Sequence, residues 1–379
     1  MTGIPALAWA LAAPAAGVYL LAPMVIGLAW RTGFLDHPVG YKRHLSPTPL
    51  LGGSLVFAGF VVALIPLAGT YGKLALIPAG AAVLWMIGTR DDRRPVAPAW
   101  RLLAELVLAA GLVESGLGWH FLGSDVLNLL LTALWIIGVV NAVNLLDNID
   151  GAAATVGGVG SAGICAFAVA HGDYGIGAMS LALSGACLGF LPHNLARPSR
   201  IFLGDGGSMP MGFLLAALAM NAVDRHISNA TALLAAGLLI GLPILDTSLV
   251  VVSRLRRRLS ILTAGRDHLT HRLLFRLGSA RRVALALAVG QALLAGLAIV
   301  GDQAGGGALP AISTAVLVQG LLAILVLETA AWARKAFTGS GSEASLSAER
   351  PAEAELSAPA STSTSELAPA LEAGVGRGR

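Results

Sequence analysis

Long apolar segments follow one another along most of this sequence, and their succession restricts the fold more than any other feature. Only 12% of the residues are charged, whereas a soluble domain usually has about 25%, and the mean hydropathy is +0.76. We therefore predict an all-α, polytopic integral membrane protein over residues 1–337. About eleven segments could cross a hydrocarbon core roughly 30 Å thick, near residues 6–30, 51–70, 73–89, 102–118, 126–146, 152–171, 174–192, 208–223, 231–251, 282–300 and 309–333.

The basic residues are distributed unevenly between the two sides of these segments. On one side the loops hold only Lys73 and Arg225. Because short cytoplasmic loops carry an excess of Lys and Arg, we predict that the other side is cytoplasmic, with the N-terminus outside and the C-terminus inside. The same rule explains the net charge of +4, so we do not interpret that charge as a sign of nucleic-acid binding. The predicted cytoplasmic loops are 31–50, 90–101, 193–206 and 252–282.

The composition changes near residue 338. From there to residue 379 the chain is rich in Ser, Ala, Pro and Glu and has almost no aromatic residues. Such a segment cannot bury enough apolar surface to offset the entropy of ordering it. We predict a disordered cytoplasmic tail.

Polar side chains recur at helical spacing in the stretch WIIGVVNAVNLLDNIDG, residues 135–151. Asn141, Asn144 and Asp147 are three residues apart, and Asp150 follows after another three. Residues at this spacing share one face of a helix. Carboxylates at a membrane boundary are costly unless a partner balances their charge, and a divalent cation is a suitable partner. The stretch therefore indicates a functional site.

Two adjacent carboxylates, Asp91 and Asp92, occur in the second cytoplasmic loop, TRDDRRP. Neighbouring carboxylates repel each other unless water or a cation screens them. One interpretation is a solvated loop in which the flanking arginines act as counter-charges. The other is Mg²⁺ binding combined with an acid–base role, since Mg²⁺ typically takes one or two carboxylates together with water and substrate phosphates.

A glycine-rich turn, FLGDGGSMPMGF, leads into the eighth predicted segment. Three glycines surround Asp205, and Ser208 begins the apolar segment. Glycine permits close approach of the backbone to a phosphate or metal, and the start of a helix favours anions. The turn is not a Walker loop, because no Lys follows the glycines.

Two other cytoplasmic loops combine basic residues with histidine. The first contains Lys42 and His44 among Gly and Pro residues, and either a positively charged anchor or a shaped binding loop would explain it. In the last loop His268 and His271 are three residues apart, with Arg272 next to them. Without a third soft ligand zinc binding is disfavoured, and phosphate oxygens are better partners. A basic interfacial helix would explain the RLRRR run of the same loop.

Asp246 differs from these acids because it lies within or at the end of an apolar segment. An acid inside a membrane segment is a functional candidate, and pairing with an Arg of the following loop is the structural alternative.

Five stretches, in this order, resemble the polyprenyl-phosphate N-acetylhexosamine-1-phosphate transferases, the WecA/TagO/MraY superfamily of glycosyltransferase family 4. The resemblance covers roughly residues 31–282, and the number of predicted spans is more similar to the WecA/TagO branch. The stretches are DHPVGYKRHLSPTPLLGG, the acidic pair of TRDDRRP, NAVNLLDNIDG, FLGDGGSMPMGF and GRDHLTHRLL.

The resemblance implies a reaction in which a polyprenyl phosphate attacks the β-phosphorus of a UDP-amino sugar such as UDP-GlcNAc. The products are a polyprenyl-diphosphate-sugar and UMP, and the family requires Mg²⁺, for which Mn²⁺ is a candidate substitute. The implied location is the bacterial inner (plasma) membrane, with the active site on the cytoplasmic face. The implied partners are the UDP-sugar, the polyprenyl phosphate, the lipid bilayer and, as a candidate assembly, a second copy in a homodimer; nucleic acid is not among them.

The resemblance also assigns roles to individual residues. The catalytic residues would be Asp91, Asp92, Asp150, His268 and His271. The substrate-binding residues would be Lys42, His44, Asn144, Asp147, Asn194, Gly204 and Arg272. The metal ligands would be Asp205, Asp150 and Asp92. Because adjacent side chains on a helix point about 100° apart, we predict that Asp92 faces the metal and Asp91 activates the lipid phosphate.

The chain departs from the family pattern at three positions. The family usually has Gly where this chain has Asn148, and its histidine motif often has another His where this chain has Thr270. Arg101 occupies a position that is often Lys, and Arg is not equivalent to Lys at a catalytic site. These departures affect the choice of sugar more than the class of reaction.

Other functions predict other features. A transporter or flippase would place polar residues near the bilayer midplane and often contains inverted repeats, whereas here the acids lie at one membrane edge and no repeat is visible. An inactive scaffold would not need the intact acids. Within the enzyme class, UDP-GalNAc, a bacillosamine-type sugar and UDP-MurNAc-pentapeptide remain alternative donors.

Overall fold

The computed structural model describes residues 3–37, 46–224, 226–227, 230–261 and 265–329. Lys42, His44 and the predicted tail lie outside these residues. The described residues form a short antiparallel pair, β1 (Leu35–Asp36) and β2 (Thr48–Pro49), and two 3₁₀ helices at Ile65–Thr70 and Gly72–Ala75. The α-helices are α1 (Ile4–Thr32), α2 (Gly52–Leu64), α3 (Leu76–Arg93), α4 (Pro98–Glu114), α5 (Asp125–Leu146), α6 (Ala152–Ala170), α7 (Tyr174–Asn194), α8 (Asp205–Asp224), α9 (Thr231–Leu239), α10 (Gly241–Arg256), α11 (Leu269–Leu277), α12 (Ala280–Ala304) and α13 (Ala308–Leu327).

The structure confirms an all-α polytopic membrane protein. Within the described residues nine helices are long and apolar enough to cross a membrane, and α9 with α10 adds a tenth if the pair, bent by 91°, forms one broken span. The remaining predicted span is α4, whose 17 residues are one fewer than those of the shortest candidate span. At 1.5 Å per residue it measures only about 26 Å. It begins after Ala97 and ends at Ser115, ahead of Gly116 with its left-handed backbone.

Helix α8 is the centre of the bundle. It is buried along its whole membrane segment, whereas α1 and α13 are mostly exposed and present apolar side chains to the surroundings. Helices α2, α3, α5 and α6 pack against it. A central helix that is apolar all round is the expected core of such a bundle.

The start of α8 lies very close to α3. A Cβ atom on Gly88 would lie 2.2 Å from the backbone oxygen of Asp205, so the two backbones touch only because residue 88 is glycine. This contact brings Asp91 and Asp92, at the last turn of α3, beside the first turn of α8. The segment that precedes α8 is held by backbone bonds in which Gly52 and Gly53 donate to residues 202 and 203.

Candidate active site

The guanidinium of Arg101 joins side chains from four helices. Its Nη1 donates to Oδ2 of Asp91 at 2.9 Å and to Oδ2 of Asp205 at 3.2 Å, and its Nη2 donates to Oδ1 of Asn144 at 3.2 Å. Arg101 lies in the first turn of α4, and its partners lie near the end of α3, at the start of α8 and near the end of α5. A planar guanidinium suits this arrangement because its N–H groups point in several fixed directions.

Asn144 fixes the orientation of Asp205. Its Nδ2 donates to Oδ1 of Asp205 at 2.8 Å and to Oγ of Ser208 at 2.9 Å. One turn earlier, Nδ2 of Asn141 donates to Oε2 of Glu105 at 2.8 Å. The polar face predicted for this helix therefore exists, and it contacts acids of α4 and α8.

Asp92 caps the first turn of α8. Its Oδ1 accepts the backbone N–H of Asp205 at 2.8 Å, and its Oδ2 accepts that of Gly206 at 2.9 Å. These N–H groups have no partner within the helix, and a carboxylate there is also favoured by the helix dipole. The structure thus gives Asp92 a capping contact and places Asp91 beside Arg101. A metal-ligand role for Asp92 remains a prediction, which this capping geometry does not favour.

The glycine-rich turn makes room for this cap. Gly204 has a φ of 71°, and a Cβ atom on it would lie 2.7 Å from Oδ2 of Asp92. We expected these glycines to approach a phosphate or metal. In the structure they allow close packing of α8 against α2, α3 and the Asp92 side chain. A sequence pattern cannot distinguish the two uses, because both require a missing side chain.

The turn between α5 and α6 carries Asp147 and Asp150. Burial raises the pKa of Asp147 well above its ordinary value, and a hydrogen bond from the backbone of Gly204 acts in the opposite direction. Three neighbouring carboxylates raise the same pKa further: Asp205, Asp92 and Asp150. The acids predicted from three separate stretches of sequence therefore lie within electrostatic reach of one another.

Asn194, which we predicted to bind substrate, supports this turn. Its Oδ1 accepts the N–H of Gly151 at 2.6 Å, and its Nδ2 donates to the oxygen of Ile201 at 2.9 Å. The side chain is buried. In this position Asn194 joins the turn after α5 to the segment before α8, and a role in substrate binding stays a prediction.

Carboxylates are the residue type that a magnesium ion held only in part by protein would use. In the described part of the chain no three His, Cys, Asp or Glu side chains stand close enough to enclose a metal. Mg²⁺ does not need such a cage, because it commonly takes one or two carboxylates and completes its shell with water and phosphates. Burial is the main cause of the raised pKa of Asp147, and the neighbouring carboxylates add a repulsion that a divalent cation would relieve.

Asp246 is the partner of His268. It is fully buried in α10, and its Oδ2 lies 2.8 Å from Nδ1 of His268. Its other oxygen accepts the backbone N–H of Leu269 at 2.6 Å. The sequence left open a functional role or a pairing with an arginine of the next loop. In the structure the partner is a histidine of that loop and not an arginine, and the contact fixes the orientation of the imidazole. A functional role for Asp246 stays a prediction.

His271 lies beside this pair, with 6.0 Å between its ring centroid and that of His268. The pKa of His271 is lowered to about 4, mainly by burial and also by the charges of His268 and Arg266. Its Nδ1 is buried and has no hydrogen-bond partner among the described residues. His271 is therefore neutral near pH 7.

Arg272, predicted to bind substrate, is instead buried in a network within the protein. Its Nε donates to the backbone oxygen of Asp267 at 3.0 Å, and its other nitrogens donate to the oxygen of Leu327 and to Glu328. Phosphate binding by Arg272 therefore stays a prediction, which this packing does not favour.

Two arginines of the RLRRR run bind a carboxylate of the protein, which the interpretation as a simple interfacial helix did not predict. Arg254 is buried and donates to both oxygens of Asp267 at 2.9 and 3.0 Å, and Arg257 donates to the same carboxylate at 2.8 Å. Although burial alone would raise it, these bonds hold the pKa of Asp267 below its ordinary value. The network fixes the start of the histidine loop to α10.

Sequence reasoning missed several members of the site. Arg101 was noted only as a departure from a family pattern, and its place ten residues after Asp91 was the available signal. Ser208 and Glu105 gave no signal, because a lone Ser at a helix start and a lone Glu in an apolar segment are common. The side-chain bond between Thr270 and Asn148 was also unforeseen.

These features define a polytopic α-helical membrane protein with a carboxylate-rich site at the ends of its central helices. A family model described as glycosyl transferase family 4 matches residues 74–223. Curated relatives match a longer stretch, and with them the assignment is clear: the chain belongs to glycosyl transferase family 4.

Three of these relatives show the extent of the similarity. A decaprenyl-phosphate N-acetylglucosaminephosphotransferase of Mycobacterium tuberculosis (strain ATCC 25618 / H37Rv) is 34% identical over 297 residues, covering 68% of this chain and 73% of that protein. A probable undecaprenyl-phosphate N-acetylglucosaminyl 1-phosphate transferase of Bacillus subtilis (strain 168) is 30% identical, covering 68% and 74%. An undecaprenyl-phosphate alpha-N-acetylglucosaminyl 1-phosphate transferase of Salmonella typhi is 31% identical, covering 73% and 78%.

Proposed function

We propose that this protein transfers N-acetylglucosamine-1-phosphate from UDP-N-acetylglucosamine to a polyprenyl phosphate. An oxygen of the lipid phosphate forms a bond to the β-phosphorus of the nucleotide sugar, and the bond from that phosphorus to the bridging oxygen of the α-phosphate breaks. The products are polyprenyl-diphosphate-N-acetylglucosamine and UMP. The observation that carries the proposal is the single acid-rich site formed within residues 74–223, in a chain whose relatives bear the names given above.

Phosphoryl transfer depends mainly on positioning and on neutralising negative charge. In this site Arg101 holds the carboxylates of Asp91 and Asp205 at fixed positions, and Asn144 fixes the second oxygen of Asp205. A phosphate monoester has a second pKa near 6, so at pH 7 the lipid phosphate is largely ionised. Asp91 would then accept a proton only from the fraction of the lipid phosphate that is still protonated.

Mg²⁺, with Mn²⁺ as a substitute, would be held by Asp205 and Asp150 together with the substrate diphosphate, and it would neutralise charge on the phosphates. The carboxylates that surround Asp147 support this assignment.

The site is proposed to face the cytoplasm of a bacterial plasma membrane. The support is the concentration of basic residues in the loops at the same end of the helices as the acids. A nucleotide sugar is soluble and reaches the site from water, whereas the polyprenyl phosphate arrives from the bilayer.

A transfer assay in phospholipid nanodiscs tests the function. The purified protein is incubated with Mg²⁺, undecaprenyl or decaprenyl phosphate and a panel of sugar-labelled donors: UDP-GlcNAc, UDP-GalNAc, a UDP-bacillosamine-type sugar and UDP-MurNAc-pentapeptide. We expect labelled lipid and equimolar UMP with UDP-GlcNAc. Preference for another donor would reassign the sugar, and absence of product with all donors would overturn the function.

A further inference from the structure

A side-chain hydrogen bond joins the acidic turn of the site to its histidine loop. The Oγ1 of Thr270 donates to Oδ1 of Asn148 at 2.5 Å, across 122 residues of sequence. Asn148 follows Asp147 directly and lies two residues before Asp150. Thr270 lies between His268 and His271. The bond therefore connects the α5–α6 turn to the first turn of α11, two segments whose acids and histidines the family resemblance assigns to the site.

Both partners are held in place by other contacts. Thr270 is fully buried, and Nδ2 of Asn148 donates to the oxygen of Leu145 at 2.8 Å, which turns Oδ1 towards Thr270. The neighbours Ile149 and Leu269 belong to one apolar cluster at this end of the bundle. Loss of Asn148 would leave the buried hydroxyl of Thr270 unsatisfied, and loss of the hydroxyl would remove the contact that Oδ1 of the half-buried Asn148 makes with α11.

The histidine loop is also attached elsewhere, but to different elements. Asp246 attaches His268 to α10, and Arg272 attaches the loop to the end of α13. These contacts orient the loop relative to the outer helices. Thr270 orients it relative to the turn that carries the acids.

We propose that Asn148 and Thr270 form a positioning pair, whose hydrogen bond sets the distance between the two histidines and the acids of the α5–α6 turn. The pair thereby fixes the span across which the nucleotide sugar is held. The inference rests on the proposed function. It predicts an effect on use of the nucleotide sugar and not on binding of the lipid phosphate.

The test is a double-mutant cycle in nanodiscs with Thr270→Val, Asn148→Ala and the combined variant. Steady-state constants are measured for UDP-GlcNAc and, separately, for the polyprenyl phosphate. Each single variant should lower kcat/KM for UDP-GlcNAc about tenfold, the effect of one lost buried hydrogen bond, with KM for the lipid unchanged. The combined variant should lose no more than the worse single variant, because partners in one bond are not additive.

Ser313→Ala is the matched control. Ser313 is a buried hydroxyl in α13 without a hydrogen-bond partner in the described part of the chain, so its loss should leave both substrates unaffected. If the hydrogen bond acted only on stability, its loss would lower the thermal midpoint and would lower kcat/KM for both substrates together.

The outcomes separate the two claims. Wild-type protein that is inactive with every donor overturns the proposed function. If the wild-type protein is active, either of two results overturns the positioning pair alone. In the first, the losses of kcat/KM in the single variants multiply in the combined variant. In the second, the variants lose kcat/KM for the lipid and for the nucleotide sugar equally.

Discussion

At the residue scale, Arg101 is the group on which the arrangement of the acids depends. Two carboxylates and an amide oxygen share its guanidinium, and the side chains of Asp91 and Arg101 are 12% and 18% exposed. Without the cation, Asp91 and Asp205 would face each other with unbalanced charge. Such repulsion between partly buried carboxylates shifts their protonation and their positions.

Replacement of Arg101 tests this role. We expect Arg101→Gln to lower kcat about 10²-fold, the usual effect of removing one preorganised electrostatic partner. Arg101→Lys restores the charge without the planar fork and should recover part of the activity. Initial rates at saturating substrates provide the measurement, and wild-type rates in the Gln variant would show that the acids are positioned by other groups.

The low pKa of His271 predicts a dependence of stability on pH. Its pKa is about 4 in the folded protein and about 6.5 in an unfolded chain, so between these values the unfolded state binds more protons. The contribution of His271 to the free energy of unfolding is therefore complete above pH 6.5 and decreases as pH falls towards 4. Neighbouring charged and titratable groups are His268, Arg266, Asp246 and Asp267.

Thermal denaturation of detergent-solubilised protein at pH 7.5 and pH 5 checks this. The midpoint should fall with pH in the wild type and fall less in His271→Asn. Equal falls in both proteins would assign the acid sensitivity to another group.

At the element scale, helical periodicity predicted the site only in part. The spacing of Asn141 and Asn144 correctly placed both amides on one face of α5. Asp147 lies one residue beyond the end of that helix, so its neighbours are set by the turn and not by the helix. The cap by Asp92 and the hub at Arg101 join residues more than a hundred positions apart, and no local pattern carries such information.

The close packing of α3 on α8 yields an element-scale prediction. In Gly88→Ala the new methyl group would meet the backbone of Asp205, so the helices must separate. We expect a loss of stability on the order of 1–3 kcal/mol, together with a loss of transfer activity because Asp92 no longer reaches the start of α8.

Gly111→Ala is the control for this variant. Gly111 lies within α4 with no atom near its would-be Cβ, and alanine is the better helix former there. Its thermal midpoint and transfer rate should match or exceed those of the wild type. If Gly88→Ala behaves like this control, then the close approach does not position the site.

At the scale of the whole molecule, the low charge and the long apolar segments together predicted a polytopic helical protein, because a segment of that length in lipid satisfies its own backbone groups as a helix. The number of spans was less predictable. Apolar runs do not reveal that α4 is short or that α9 and α10 meet at a sharp bend, since both features depend on where helices end.

Topology is tested by labelling single cysteines introduced into a protein that lacks Cys165 and Cys187, both of which are buried. A cysteine at Ala97, between α3 and α4, should react only when the reagent reaches the cytoplasm. A cysteine at Gly172, between α6 and α7, should react from outside. Reversed labelling would place the acids on the outer face, away from the nucleotide sugar.

The central claim is that a phosphosugar, and not a sugar alone, moves to the lipid. The most direct measurement uses UDP-GlcNAc labelled with ³²P at the β-phosphorus, with the protein in nanodiscs containing polyprenyl phosphate and Mg²⁺. We expect the label to appear in the lipid product, chelation of the metal to prevent this, and Asp205→Asn to transfer no label at any ordinary Mg²⁺ concentration. Label that remains on the nucleotide while the sugar moves to the lipid would show that the protein transfers the sugar alone.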